Sequence, residues 1–96
     1  MDLLKWIQNW YVQQCNGDWE HGSGITIETL DNPGWAIKVN LRETSLQGRT
    51  FERVNVENGD LGWWHCWLEN DTFHGACGPR NLETVIAIFK EWTEKP

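Results

Sequence analysis

Basic charge is scarce in this chain. Eight Lys and Arg stand against fourteen Asp and Glu, a formal net charge of −6 at pH 7, and the basic residues are scattered singly. Proteins that hold a phosphate backbone concentrate Lys and Arg on one surface, so nucleic acid is not expected as a partner. Long apolar runs are missing as well. None approaches the ~20 residues needed to cross a bilayer, and no membrane partner is expected. Met1-Asp2-Leu3-Leu4-Lys5-Trp6 lacks the basic start and continuous apolar core of a secretory signal. The expected setting is cytoplasmic, where thiols stay reduced. The Asn70-Asp71-Thr72 sequon then reads as chance, because glycosylation requires export.

Motifs that carry chemistry are also lacking. There is no GxSxG elbow, no HExxH, no P-loop and no GxGxxG. Cysteine is limited to Cys15, Cys66 and Cys77, an odd set without a C-x-x-C pair, for which buried packing is the plainer reading. His65-Cys66 are adjacent and point to opposite faces of a strand, and His74-Ala76-Cys77 match no standard zinc spacing. No metal or cofactor is expected. One grouping has catalytic potential: Glu20-His21 beside Asp18, with Ser23 and Cys15 nearby. Glu20 could orient the imidazole for acid–base work, but neighbours in an extended segment point apart, and both side chains serve equally well as partners for loop backbone. A small enzyme around Glu20 and His21 remains an alternative, although no enzyme is expected.

What the sequence does have is tryptophan, eight in 96 residues. A chain of this length makes one domain, residues 1–96. Each indole can bury ~150–250 Å², a gross gain of roughly 4–6 kcal/mol at about 25 cal/mol per Å² before entropy is subtracted. Such a chain folds around its aromatics.

Residues 2–14 read as an amphipathic helix with Leu3, Leu4, Trp6, Ile7, Trp10 and Tyr11 on one stripe. Asp2 is its candidate N-cap, and Gly17 can take the left-handed position after its end. Ile25 and Ile27 alternate with Thr26 and Glu28 in a first strand. Asn32-Pro33-Gly34-Trp35 fits a type II turn, with glycine at the position of positive φ, inside a loop somewhat longer than two residues. The return strand sets Trp35, Ile37, Val39 and Leu41 on one face, so Trp35 is expected in the core and Trp19 at the helix-to-sheet junction. A third strand at about 51–57 places Val54 and Val56 on one face and leaves Phe51 on the other, which requires a bulge or an exposed ring. Asn58-Gly59 is a strong hairpin signal before a strand over 63–68. Asn70-Asp71 turns into a short fifth strand over 73–76. Asn81 is the candidate N-cap of a final helix whose stripe is Leu82, Val85, Ile86, Phe89 and Trp92. This order predicts an α+β fold: an antiparallel four- to five-stranded β-meander with the N-terminal and C-terminal helices packed on one face.

A sheet covered on one side leaves the other side open. With Trp64, Cys66 and Leu68 toward the helices, Trp63, His65 and Trp67 face away, together with Lys38, Arg53 and, on strict alternation, Phe51. Trp and Arg on an open face suit a protein–protein hot spot. The alternatives are a reversed face, or a carbohydrate- or peptide-binding module in which Trp63 and Trp67 stack against a ligand.

Two blocks carry a more specific signal: Trp10-Tyr11-Val12-Gln13-Gln14-Cys15-Asn16-Gly17-Asp18-Trp19-Glu20-His21, and Ile25-Thr26-Ile27-Glu28-Thr29-Leu30-Asp31-Asn32-Pro33-Gly34-Trp35. With Trp63 to Cys66 and Phe89 to Trp92, they make the chain resemble the immunity protein 53 family of bacterial polymorphic toxin systems over essentially its whole length. The resemblance implies an immunity protein that binds and neutralises a cognate toxin domain in the cytosol without chemistry. Many such toxins are nucleases with basic clefts. Acidic Asp18, Glu20, Glu28 and Asp31 are therefore the expected electrostatic contacts, and Trp63, His65 and Trp67 the expected anchors. Nothing in the sequence fixes the oligomeric state, the toxin's activity or the binding face.

Overall fold

The computed structural model describes residues 2–22 and 24–95. The first helix, α1 (Leu3–Gln14), begins where the Asp2 carboxylate accepts the Lys5 N–H at 3.1 Å, as its sequence requires. Beyond its end Gly17 takes a φ of +95°. The last helix, α2 (Leu82–Thr93), buries Val85, Ile86, Phe89 and Trp92, four of the five residues of the expected stripe. Asn81 stands at the N-cap but does not cap with its side chain. It is buried, and its amide donates instead to the Leu61 carbonyl at 3.1 Å. At the other end of α2, Arg49 donates to the carbonyls of Trp92 (3.3 Å) and Lys95 (3.0 Å), which satisfies groups a helix C-terminus leaves open.

Five antiparallel strands form one sheet: β1 (Ile25–Leu30), β2 (Gly34–Asn40), β3 (Val54–Glu57), β4 (Trp63–Glu69) and β5 (Thr72–Cys77). Their spatial order is β1-β2-β5-β4-β3. The α+β class, the strand number and the antiparallel pairing agree with the sequence reading; the order is not that of a continuous meander. Residues 41–53 carry the chain from β2 to the far edge, and β5 fills the gap between β2 and β4. That crossing is tied down along its length. The Leu41 N–H donates to the Asp71 carbonyl at 2.9 Å, Leu46 is buried, and the Trp92 indole N–H donates to the Thr50 carbonyl at 3.0 Å. Phe51 ends edge-on to Phe73 and Trp92, at 5.4 Å from each. It therefore belongs to the helix side, and since β3 begins only at Val54, strand alternation never applies to it.

The turns also differ from their sequence signals. Leu30 pairs with Gly34, so the first hairpin loop is residues 31–33, and Gly34 is a strand residue without positive φ. Glycine is needed there for space: a Cβ would overlap the Cys77 carbonyl and lie 3.4 Å from the Trp63 ring. Asn58-Gly59 opens a longer loop through the 3-10 turn Gly59–Leu61, closed by the Asn58 N–H on the Gly62 carbonyl at 2.9 Å. The tight two-residue hairpin is Asn70-Asp71, both at positive φ (54° and 55°) between paired Glu69 and Thr72, the geometry that matches strand twist.

Both helices lie on the sheet face that carries Ile37, Val39, Cys66, Phe73 and Cys77, all buried. Phe89 is the hub, 4.9 Å from Phe73 and edge-on to Trp10 at 5.1 Å. Trp19 sits at the junction as expected: it is buried, edge-on to Trp10, and its indole donates to the Asn40 carbonyl at 3.0 Å. Trp35 is half-buried against the core and donates to the Pro79 carbonyl at 3.1 Å. The expectation for β1 is met only in part. Ile25 packs on the core, but Ile27 is 43% exposed, because α2 covers β4 and β5 and β1 lies at the sheet edge.

The thiols divide the same way. Burial pushes the Cys66 thiol up to about 12, with the nearby Cys77 adding to the effect, and burial raises Cys77 too. Cys15 is exposed. A thiol reagent at pH 8 should therefore label one cysteine quickly in the native protein and all three after denaturation. Rapid labelling of two or three native thiols would contradict this packing.

Candidate functional site

The strand registers assemble the uncovered face. One row runs Thr26–Lys38–His74–Trp67 across β1, β2, β5 and β4; the next runs Glu28–Ala36–Ala76–His65–Asn55. Trp63, His65 and Trp67 do share this face with Lys38 and Arg53, as alternation in β4 requires once Cys66 is buried. Phe51 does not join them. Two alanines at the centre keep the middle of the face low between the Trp67 and Trp63 ends.

Trp67 stands between two partners. His74 on β5 stacks on it with ring centroids 5.1 Å apart and planes 5° from parallel. On the β3 side the Arg53 guanidinium lies over the ring at 5.2 Å, a cation–π contact worth about 0.5–1 kcal/mol at a solvent-facing site. The indole is thus held upright and offers its edge, with its N–H 3.5 Å from a Glu69 carboxylate oxygen. Trp63 sits over the bare backbone of Gly34 and Gly78, where a side chain would crowd it at 3.3–3.4 Å, and meets His65 edge-on at 5.5 Å. His65 Nε2 in turn lies 3.0 Å from the Glu57 carboxylate. Trp63, His65, Trp67 and His74 are all half-buried.

The four acidic candidates do not form one cluster. Asp18 is exposed, and its side chain makes no cap bond to the 3-10 turn Trp19–His21 that follows it. Glu28 is exposed in mid-β1, and Asp31 is in the hairpin loop. Six strand residues at ~3.3 Å each set the loop about 20 Å from the Asp18 end. Glu20 is committed to its own loop. Its two carboxylate oxygens accept the N–H groups of Asn16 and Gly17, each at 2.8 Å. Its pKa is held below the ordinary value by its own backbone N–H first, then by those of Asn16 and Gly17. Glu20 and exposed His21 are not assembled as an acid–base pair, and Ser23 lies outside the described residues. Among the described residues no three of His, Cys, Asp and Glu converge as metal ligands.

His74, Glu57 and Ala76 were not among the sequence candidates for this face; His74 was weighed only as a metal ligand. His74 could have been found, since Phe73 is apolar and alternation sends its neighbour to the other face. The Glu57–His65 contact depends on the β3–β4 register, which sequence spacing alone leaves free.

The fold and this face define a small two-layer α+β arrangement in which, among the described residues, one sheet surface has no covering layer. The chain belongs to the immunity protein 53 family, whose pattern it matches over residues 4–94. The family name denotes immunity against a toxin. No curated protein and no solved structure gives a significant match.

Proposed function

We propose that this protein acts as a single domain in the cytoplasm, where it binds a cognate polymorphic toxin and neutralises it by occlusion, without catalysing a reaction. The family match across residues 4–94 carries this reading, and the uncovered face bearing Trp63, His65 and Trp67 supports it. Pre-positioned aromatic edges lose little conformational entropy on docking, which suits a tight protein complex. Asp18, Glu28 and Asp31, with no Lys or Arg between residues 16 and 33, would steer a basic partner surface such as a nuclease cleft. Glu20 contributes its charge while holding its loop. A sugar platform is less well served, because both faces of Trp67 are already occupied.

The test is co-expression with the C-terminal domain of the protein encoded by the adjacent upstream gene, taken as the candidate toxin. The two should co-purify, and the toxin's activity should fall as the complex forms. Reversing two charges, in Glu28→Lys with Asp31→Lys, should slow association about tenfold or more at low salt and flatten its salt dependence. Unchanged association kinetics would rule out the electrostatic part; failure of the wild-type pair to associate would rule out the function.

A further inference from the structure

The two edges of the sheet are not alike. β3 is four residues long, flanked by Glu52 and Arg53, with Arg53 drawn over Trp67 and Glu57 drawn to His65. Short, charged edges of this kind resist pairing with another chain. β1 is six residues long, Ile-Thr-Ile-Glu-Thr-Leu, with no Lys, no Pro and an unbroken register from Ile25 opposite Val39 to Leu30 opposite Gly34. Its one charged side chain is Glu28, and it has no bulge in its pairing with β2.

Its outward backbone groups follow from the ladder. The Asn40 N–H donates to the Gly24 carbonyl at 2.9 Å, so that pair is hydrogen-bonded, and in an antiparallel ladder every second pair repeats it. Thr26, Glu28 and Leu30 therefore bond to β2. Ile25, Ile27 and Thr29 turn their N–H and C=O groups to the free edge. The same three residues project toward the helix side beyond the reach of α2, which leaves Ile27 43% exposed.

We propose that β1 is a docking edge on which an extended, basic segment of the toxin adds as a sixth strand; this rests on the reading that the partner is a protein toxin. Main-chain bonds to Ile25, Ile27 and Thr29 would hold such a segment, and alternate side chains would cover Ile27 on one face and meet Glu28 on the other. Charge selects the occupant. Asp18, Glu20, Glu28 and Asp31 line this edge and its two ends, and Lys38 lies inboard opposite Thr26. A second copy of this chain would bring the same acids against these, so a basic strand fits and a self-paired dimer does not.

Amide hydrogen exchange on the full chain, free and saturated with the candidate toxin domain that co-purifies with it, tests this. The amides of Ile25, Ile27 and Thr29 should exchange rapidly in the free protein and slow by at least 100-fold in the complex, while those of Thr26, Glu28 and Leu30 are protected in both. Ile27→Pro removes an outward N–H and no ladder bond, so it should weaken binding at least 30-fold. Ile27→Lys, which keeps the N–H and guards the edge, should do so in a chain whose fold is undisturbed. Toxin binding with the three amides still exchanging freely overturns the proposal and leaves the neutralising function standing. Failure of the wild-type chain to bind overturns both. Protection that appears with rising concentration of this chain alone makes the occupant a second copy and overturns the choice of a basic segment.

Discussion

Trp67→Ala is expected to weaken toxin binding by about 30- to 1,000-fold, the range spanned by a 2–4 kcal/mol hot-spot truncation, while the chain stays folded. The size follows from position. Trp67 is flanked by His74 and Arg53, so its rotamer is set before the partner arrives and little ordering entropy remains to be lost. The loss also reaches the neighbours, since Arg53 and His74 lose the ring that orients them. Stability should fall much less, because Trp67 stands on the open face and the aromatic hub at Phe89 lies on the other. The measurement is a titration of the toxin domain against wild type, Trp67→Ala and Trp63→Ala, with circular dichroism on each variant. If Trp67→Ala binds within threefold of wild type, the open face is not the contact surface.

The second large effect concerns stability. Gly75 lies in mid-β5 between Ile37 on β2 and Cys66 on β4, and α2 passes directly above it. A Cβ there would overlap Val85 Cγ1 and stand 2.9 Å from Ile37 Cγ2. Its φ is not positive, so the requirement is room for the helix, not backbone freedom. Gly75→Val should therefore cost about 3 kcal/mol or more by overpacking, a large share of the roughly 5–14 kcal/mol available to a chain of this length. Gly75→Ala with Val85→Ala tests the cause. The double variant should lose at least about 1 kcal/mol less than the sum of its single variants, because the two changes share one contact. Additive losses in denaturant unfolding would mean that Val85 is not what Gly75 accommodates.

The elements themselves were legible in the sequence. Both helices, the capping role of Asp2, the placing of Trp19 and the face assignment of β4 follow from periodicity and end signals, which depend on neighbours in the chain. Turn chemistry was less reliable. Asn-Pro-Gly reads as a type II turn, yet Gly34 is there because a carbonyl and an indole approach it from β5 and β4. Asn58-Gly59 carries the stronger hairpin signal, yet Asn70-Asp71 makes the tighter turn. In both cases a contact distant in sequence decided the role of a local residue. The face of Phe51 and the exposure of Ile27 belong with these, since each depends on where a strand starts or lies in the sheet.

The sequence by itself determined the α+β class, the inward face of α2 and most of that of α1, where Leu4 of the expected stripe is instead 63% exposed, the open-face placement of Trp63, His65 and Trp67, and, through its motif blocks, the family. Only the tertiary structure decided the strand order β1-β2-β5-β4-β3, the flanking of Trp67 by Arg53 and His74, and the contrast between a guarded β3 edge and an open β1. Amphipathic periods are set by local geometry, one residue at a time. Strand order and edge position are set by which long-range pairings bury the aromatic core best, with the path of residues 41–53 as part of that solution. The unpaired backbone of Ile25, Ile27 and Thr29 is a consequence of that order, and no local pattern in the chain encodes it.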